Sequence, residues 1–90
     1  MDLGQAIKTM RTKKGATQKE IAAKAGLSAN ALCSIERNES WPTNATIHAI
    51  CDALGIPVSC LLFASITDED VPEQNRAVFN ALKQPILDLF

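Results

Sequence analysis

The sequence predicts an all-α protein: a bundle of five short helices followed by one additional C-terminal helix. Three observations carry that expectation. Apolar residues recur three and four apart from Leu3 onward, as they do on one face of a helix. Capping residues open these runs, and glycine or asparagine closes them. No segment alternates apolar and polar residues as a half-buried strand would.

The elements follow in order. Leu3, Ala6, Ile7 and Met10 form the buried stripe of a first helix over about 2–14, with Asp2 as N-cap and Gly15 as its stop. Thr17 and Glu20 have the spacing of a capping box, which opens a second helix through Ile21, Ala22 and Ala25. Gly26 takes the left-handed position that ends it, and Leu27 follows as a core plug. Ser28 caps a third helix over about 29–37, whose only large apolar residues are Leu32 and Ile35. Asn38 tolerates positive φ and can terminate that helix.

Residues 39–43 read as a loop, because Pro42 disfavours helix at Trp41. Thr43 or Asn44 caps a fourth helix carried by Ile47, Ile50, Cys51, Ala53 and Leu54, with Gly55 as its stop. Residues 56–63 form a short, nearly all-apolar fifth helix that begins near Pro57. The acidic run at 67–70 supplies a cap, Thr67 or Asp70, for a sixth helix traced by Val71, Val78, Phe79, Leu82, Ile86 and Phe90. Pro85 is expected to kink or interrupt it.

At 90 residues, 47% apolar and 21% charged, the chain has the length and balance of one globular domain. No run of apolar residues is long enough to span a membrane, and the N-terminus lacks a cleavable-signal layout, so a cytoplasmic location is expected. Three cysteines, an absent CxxC and a single histidine, His48, argue against a disulfide framework and against a metal site. Reduced thiols are expected, at least one in a core. No carboxylate pair, Cys–His pair or glycine-rich phosphate loop points to an enzyme or a cofactor.

The net charge is only −1, but it is unevenly placed. Residues 1–40 hold seven Lys and Arg against four Asp and Glu, net +3; residues 41–90 hold two against six, net −4. A basic front and an acidic back suggest one face for phosphate and one turned away from it.

Gln18, Ala22, Gly26, Leu32 and Ile35 fall at the spacing of a helix-turn-helix. A small residue lets two helices cross closely, a glycine makes the corner without a Cβ, and two apolar anchors hold the next helix by one edge. Together with TQKEIAAKAGLS, SIERN, WPT and ICDALGIPVSCLLF, this pattern resembles the lambdoid phage repressor and Cro-type family, also called the XRE family, over roughly residues 3–63. The resemblance implies a lambda-repressor-like helix-turn-helix DNA-binding domain over 1–64. It leaves 65–90 as a C-terminal helical extension, read here as a dimerisation element.

In that family the third helix enters the major groove. The resemblance places Ala29, Asn30, Cys33 and Ser34 at base edges and Gln18, Ser28, Arg37, Lys14 and Lys19 at phosphates. An asparagine amide can pair bidentately with adenine, which makes Asn30 the strongest reader. Arg11 and Glu36 match a pair that braces the recognition helix. The loop after helix three carries Glu39 where relatives often place basic residues; Trp41 is expected to pack under this loop rather than stack on the DNA backbone.

One short helix reads only a few base pairs, so a homodimer on a two-fold operator is expected, with recognition helices about 34 Å apart. Ile56, Val58, Leu61, Leu62 and Phe63, with Phe79, Leu82 and Ile86, are the expected interface; the alternative is that the last helix folds back on its own domain. The implied function is a sequence-specific transcriptional regulator, either a phage or mobile-element repressor or the controller of a restriction–modification system. The alternative is an antitoxin whose C-terminal segment grips a toxin. Double-stranded DNA is the expected partner, with no membrane and no metal.

Overall fold

The computed structural model describes all 90 residues and contains no strand. Six α-helices run in order: α1 (Leu3–Lys13), α2 (Gln18–Ala25), α3 (Ala29–Glu36), α4 (Asn44–Leu54), α5 (Val58–Ala64) and α6 (Arg76–Leu87). Two 3₁₀ turns, Asp68–Asp70 and Glu73–Asn75, link α5 to α6. The fold is therefore the expected all-α helix-turn-helix arrangement.

The caps act as the sequence implies. Asp2 accepts from the Gln5 amide at the head of α1. Thr17 and Glu20 form the capping box of α2, with each side chain accepting from the other's backbone N–H at 3.0–3.1 Å. Ser28 accepts from Ala31 at 3.0 Å, and Thr43, rather than Asn44, caps α4. Gly26 and Gly55 end α2 and α4 at φ 73° and 70°, where a side chain would be strained. Asn38 follows α3 at φ 60°.

The core draws on α1–α5 and on the tip of α6. Leu3, Ile7 and Met10 of α1 share one buried cluster with Ile21 and Ala22, Leu32 and Ile35, Ile50 and Leu54, and Leu61. The α4 and α5 axes meet at 97°, which wraps the apolar α5 around the end of the bundle. No buried side-chain nitrogen or oxygen lacks a partner.

Three expectations are corrected, and Pro85 does not interrupt the last helix. Ile56 and Leu61, assigned above to a subunit interface, are 6% and 0% exposed in the chain's own core. The apolar density of residues 56–63 is thus largely explained by packing within one chain. The sixth helix starts at Arg76 rather than Val71, because Pro72 pushes Val71 into extended backbone (φ −105°, ψ 135°) and Thr67 caps a 3₁₀ turn instead. Pro85 lies inside α6 without ending it. Its missing N–H would have bonded to Ala81, which is exposed, so water can satisfy that carbonyl. Trp41 does not pack under the loop: it is 66% exposed, and the buried residue there is Pro42.

The last helix does fold back in part. Leu87 joins the core, Phe79 meets Phe63 with ring centroids 6.2 Å apart, and Lys83 donates to the Ile66 carbonyl. Its outer face stays bare, with Val78, Leu82 and Ile86 at 61%, 52% and 38% exposure.

Candidate nucleic-acid interface

The α2–turn–α3 unit is assembled from local rules. Ala22 is 1% exposed, and its carbonyl accepts from Leu27 at 2.8 Å across the Gly26 corner. That bond closes the turn and sets where α3 begins. Leu32 and Ile35 are the apolar residues that anchor α3. The opposite edge is free: Ala29 and Asn30 are exposed, Cys33 and Ser34 are half-buried, and Arg37 is exposed beyond the last turn. From Asn30 to Arg37 the axis rises roughly 10 Å, about the span of three stacked base pairs.

Charged residues fix how that edge is held. Arg11 of α1 grips Glu36 with two parallel bonds, Nε to Oε2 at 2.7 Å and Nη2 to Oε1 at 3.0 Å. Its remaining Nη1 donates to the Ala16 carbonyl at 2.9 Å. The carboxylate raises the already high guanidinium pKa, chiefly through these hydrogen bonds. Both side chains are largely shielded, at 13% and 3% exposure, so the pair acts in a medium of low dielectric. The end of α3 is therefore pinned to α1 by an ion pair as well as by Leu32 and Ile35.

Gln18 is drawn into the same cluster, its Nε2 donating to Glu36 Oε1 at 2.9 Å. One amide hydrogen is thus committed inside the protein, and only the other remains for a phosphate. Ser28 is exposed at the head of α3. Lys19 is exposed and makes no ion pair. Arg37 lies 4.0 Å from Glu39, an exposed pair of little energetic weight. Lys14 is turned toward the C-terminal end of the chain, where it donates to the Phe90 carbonyl. The structure thus gathers Ala29, Asn30, Cys33 and Ser34 on α3 with Arg37 at its C-cap, places Ser28, Gln18 and Lys19 on the flanking helix starts, and sets Lys14 apart.

Two supporting residues carry more than their sequence positions suggest. Gly4 sits where α1 crosses the end of α3; a Cβ there would lie 2.6 Å from the Ile35 and Glu36 carbonyls. A lone glycine inside a helical run was the available signal. Asn38 does more than end α3: its Oδ1 accepts from the Gly4 amide at 3.0 Å and its Nδ2 donates to Asp2 at 2.9 Å. This clasp lowers the Asp2 pKa, first through the Asn38 side chain and then through the Gln5 amide.

Of the thiols, Cys51 and Cys60 are buried and Cys33 is half-exposed on α3. Burial pushes Cys51 up to about 11 and Cys60 in the same direction. None is in a disulfide, and His48 is an exposed α4 residue bonded to the Asn44 carbonyl at 2.8 Å.

This is the geometry of a DNA-binding regulator: a short helix held along one edge, beside two helix starts. A helix-turn-helix family profile matches residues 7–59. The chain belongs to the helix-turn-helix family of XRE-type transcriptional regulators. It is 34% identical over 84 residues, 93% of its length, to the immunity repressor protein of Bacillus phage phi105, and spans 56% of that repressor. The clp gene regulator ClgR of Corynebacterium glutamicum superposes with a TM-score of 0.69 at 30% identity, covering 71% of this chain and 83% of that one. A variant of the restriction–modification controller protein C.Esp1396I gives 0.65 at 30% identity, over 68% of this chain and 79% of that one. No single helix is long and apolar enough to cross a membrane.

Proposed function

We propose that this chain binds a two-fold symmetric operator as a homodimer and regulates transcription by occupying it. The observation that supports this best is α3 itself. Asn30 and Ser34, one turn apart, project from a helix whose opposite edge is fixed by Leu32, Ile35 and the Glu36 pair. Asn30 reads adenine through its amide, Ala29 meets a thymine methyl, and Cys33 and Ser34 complete the base contacts. Ser28, Gln18, Lys19, Arg37 and Lys14 supply phosphate contacts, which set register more than sequence.

The second subunit is assigned to the bare apolar face of the extension, residues 65–90. Leu82 and Ile86 of the extension and Leu62 of α5 are exposed, and Val58, Phe63 and Phe79 are half-buried, with Phe63 against Phe79. A soluble chain gains by covering such a patch. The role closest to the relatives' names is a phage or mobile-element repressor, or a restriction–modification controller, working in the cytoplasm.

Selection of bound duplexes from a random pool tests the proposal. A consensus with two-fold symmetry is expected, and Asn30→Ala should relax it at one position in each half-site. An asymmetric or featureless pool would contradict it. Sedimentation of Leu82→Asp separates the dimer claim: a shift to monomer is expected, and an unchanged mass would reassign the interface.

A further inference from the structure

The tip of α6 lies against the turn that joins α1 to α2. Lys13 Nζ donates to the Leu87 carbonyl and lies 3.8 Å from the Asp88 carboxylate. Lys14 Nζ donates to the Phe90 carbonyl. Leu87 is the one buried residue of α6, and Asp88, Leu89 and Phe90 around it are exposed. The tip is therefore held by a single apolar peg and by lysine contacts at the rim, where salt screens them.

The same two lysines end α1, four and three residues before the Thr17 cap of α2. Lys14 is the C-cap of α1, Gly15 turns at φ 71°, and Thr17 caps α2 two residues later. Gln18, the first residue of α2, reaches α3 through Glu36. Along the chain, Lys13 and Lys14 precede and Lys19 follows the start of α2, the helix end whose free amides favour an anion. The tip offers these lysines one carboxylate, Asp88, and the main-chain oxygens of Leu87 and Phe90. A duplex offers an array of phosphates, each with full charge and strong acceptor oxygens, and so outnumbers the tip as an acceptor.

We propose that Lys13 and Lys14 form a phosphate-binding pair masked by the chain's own C-terminal tip, residues 87–90, which releases them when a duplex docks. The inference rests on the DNA-binding reading above and extends it in two ways. It adds Lys13 to the phosphate contacts, and it makes the extension a competitor that weakens DNA binding. If the lysines only cap α6, loosening the tip leaves DNA affinity unchanged.

The test uses the full chain and a short fluorescent duplex of arbitrary sequence, titrated across a salt series. Leu87→Ala removes the peg. It is expected to bind several-fold tighter at low salt, because the duplex no longer has to displace the tip. Adding Lys13→Gln and Lys14→Gln to Leu87→Ala should abolish the gain and make the slope of log affinity against log salt shallower by about 0.9 for each lysine lost. An unchanged affinity in a folded Leu87→Ala, or a gain that survives loss of both lysines, overturns the proposal. Should Leu87→Ala fail to fold, hydrogen exchange on the unaltered protein decides. The Asp88, Leu89 and Phe90 amides, bonded to Gln84, Ile86 and Leu87 carbonyls, should exchange faster with duplex bound; equal or slower exchange overturns it. If the unaltered protein binds no duplex at any salt, the DNA-binding reading fails together with this one, which separates the two failures.

Discussion

Arg11 and Glu36 meet fork to fork across the α1–α3 crossing, at 2.7 and 3.0 Å, with only 3% of the Glu36 side chain exposed. Removing one partner leaves a buried charge without its counterpart, which costs about 3–5 kcal/mol. Glu36→Ala should therefore lower the urea midpoint strongly while the consensus of selected DNA stays the same. A midpoint within error of the unaltered protein would show that the pair does not brace α3. Gln18→Ala removes one hydrogen bond to the same carboxylate and should cost about 1.5–3 kcal/mol.

Gly4 permits the close approach of α1 to the end of α3. Gly4→Ala would put a methyl 2.6 Å from two backbone carbonyls, and backbone cannot swing aside as a long side chain can. The helices must separate, at a cost of about 1–3 kcal/mol. Alanine is otherwise the better helix former by about 1 kcal/mol, so thermal unfolding gives a clear sign: a lower Tm is expected, and a higher one would deny the tight crossing.

The clasp of Asp2, Gly4 and Asn38 gives stability a pH dependence. Asp2 is held below its ordinary 3.8, mainly by Asn38, so the folded state favours the carboxylate. Its contribution is complete above that value and is lost as pH falls through the lowered folded-state value. Asp2→Asn should be less stable than the unaltered protein at neutral pH, and the gap should close in acid. A gap of equal size at both extremes would show that Asp2 titrates no differently in the folded chain.

Thiol reactivity should divide the cysteines. Cys51, pushed up to about 11, and Cys60 are buried, so neither offers accessible thiolate near neutral pH. Cys33 is half-exposed. A maleimide should label one thiol per native chain, mapped to Cys33 by peptide mass, and all three in denaturant. Labelling of Cys51 in the native protein would mean that the α4–α5 core opens readily.

Most of the fold was legible because its rules are local. The Thr17–Glu20 box, the Gly26 and Gly55 stops and the positive φ of Asn38 depend on residues within one turn, and each appears where the sequence implies it. Errors arose where a distant partner decides. The density around Leu61 reads equally as a core or as an interface until the 97° meeting of α4 and α5 is known. The Gly4 crossing, the bond from Gln18 to Glu36 and the exposure of Trp41 likewise depend on neighbours far along the chain. Pro72 is itself a local signal for the later start of the last helix. For the interface, the edge that anchors α3 was readable from Leu32 and Ile35; the commitment of Lys14 to Phe90 was not.

The central claim is that the free edge of α3 reads bases, and competition binding tests it most directly. A labelled duplex carrying the selected consensus is bound by the unaltered protein and by Asn30→Ala, then challenged with the same site altered at one base pair. The account predicts that the unaltered protein discriminates by about 1–3 kcal/mol at the position Asn30 contacts, and that Asn30→Ala loses this discrimination while keeping its salt slope. Equal discrimination by both proteins at every position would contradict it.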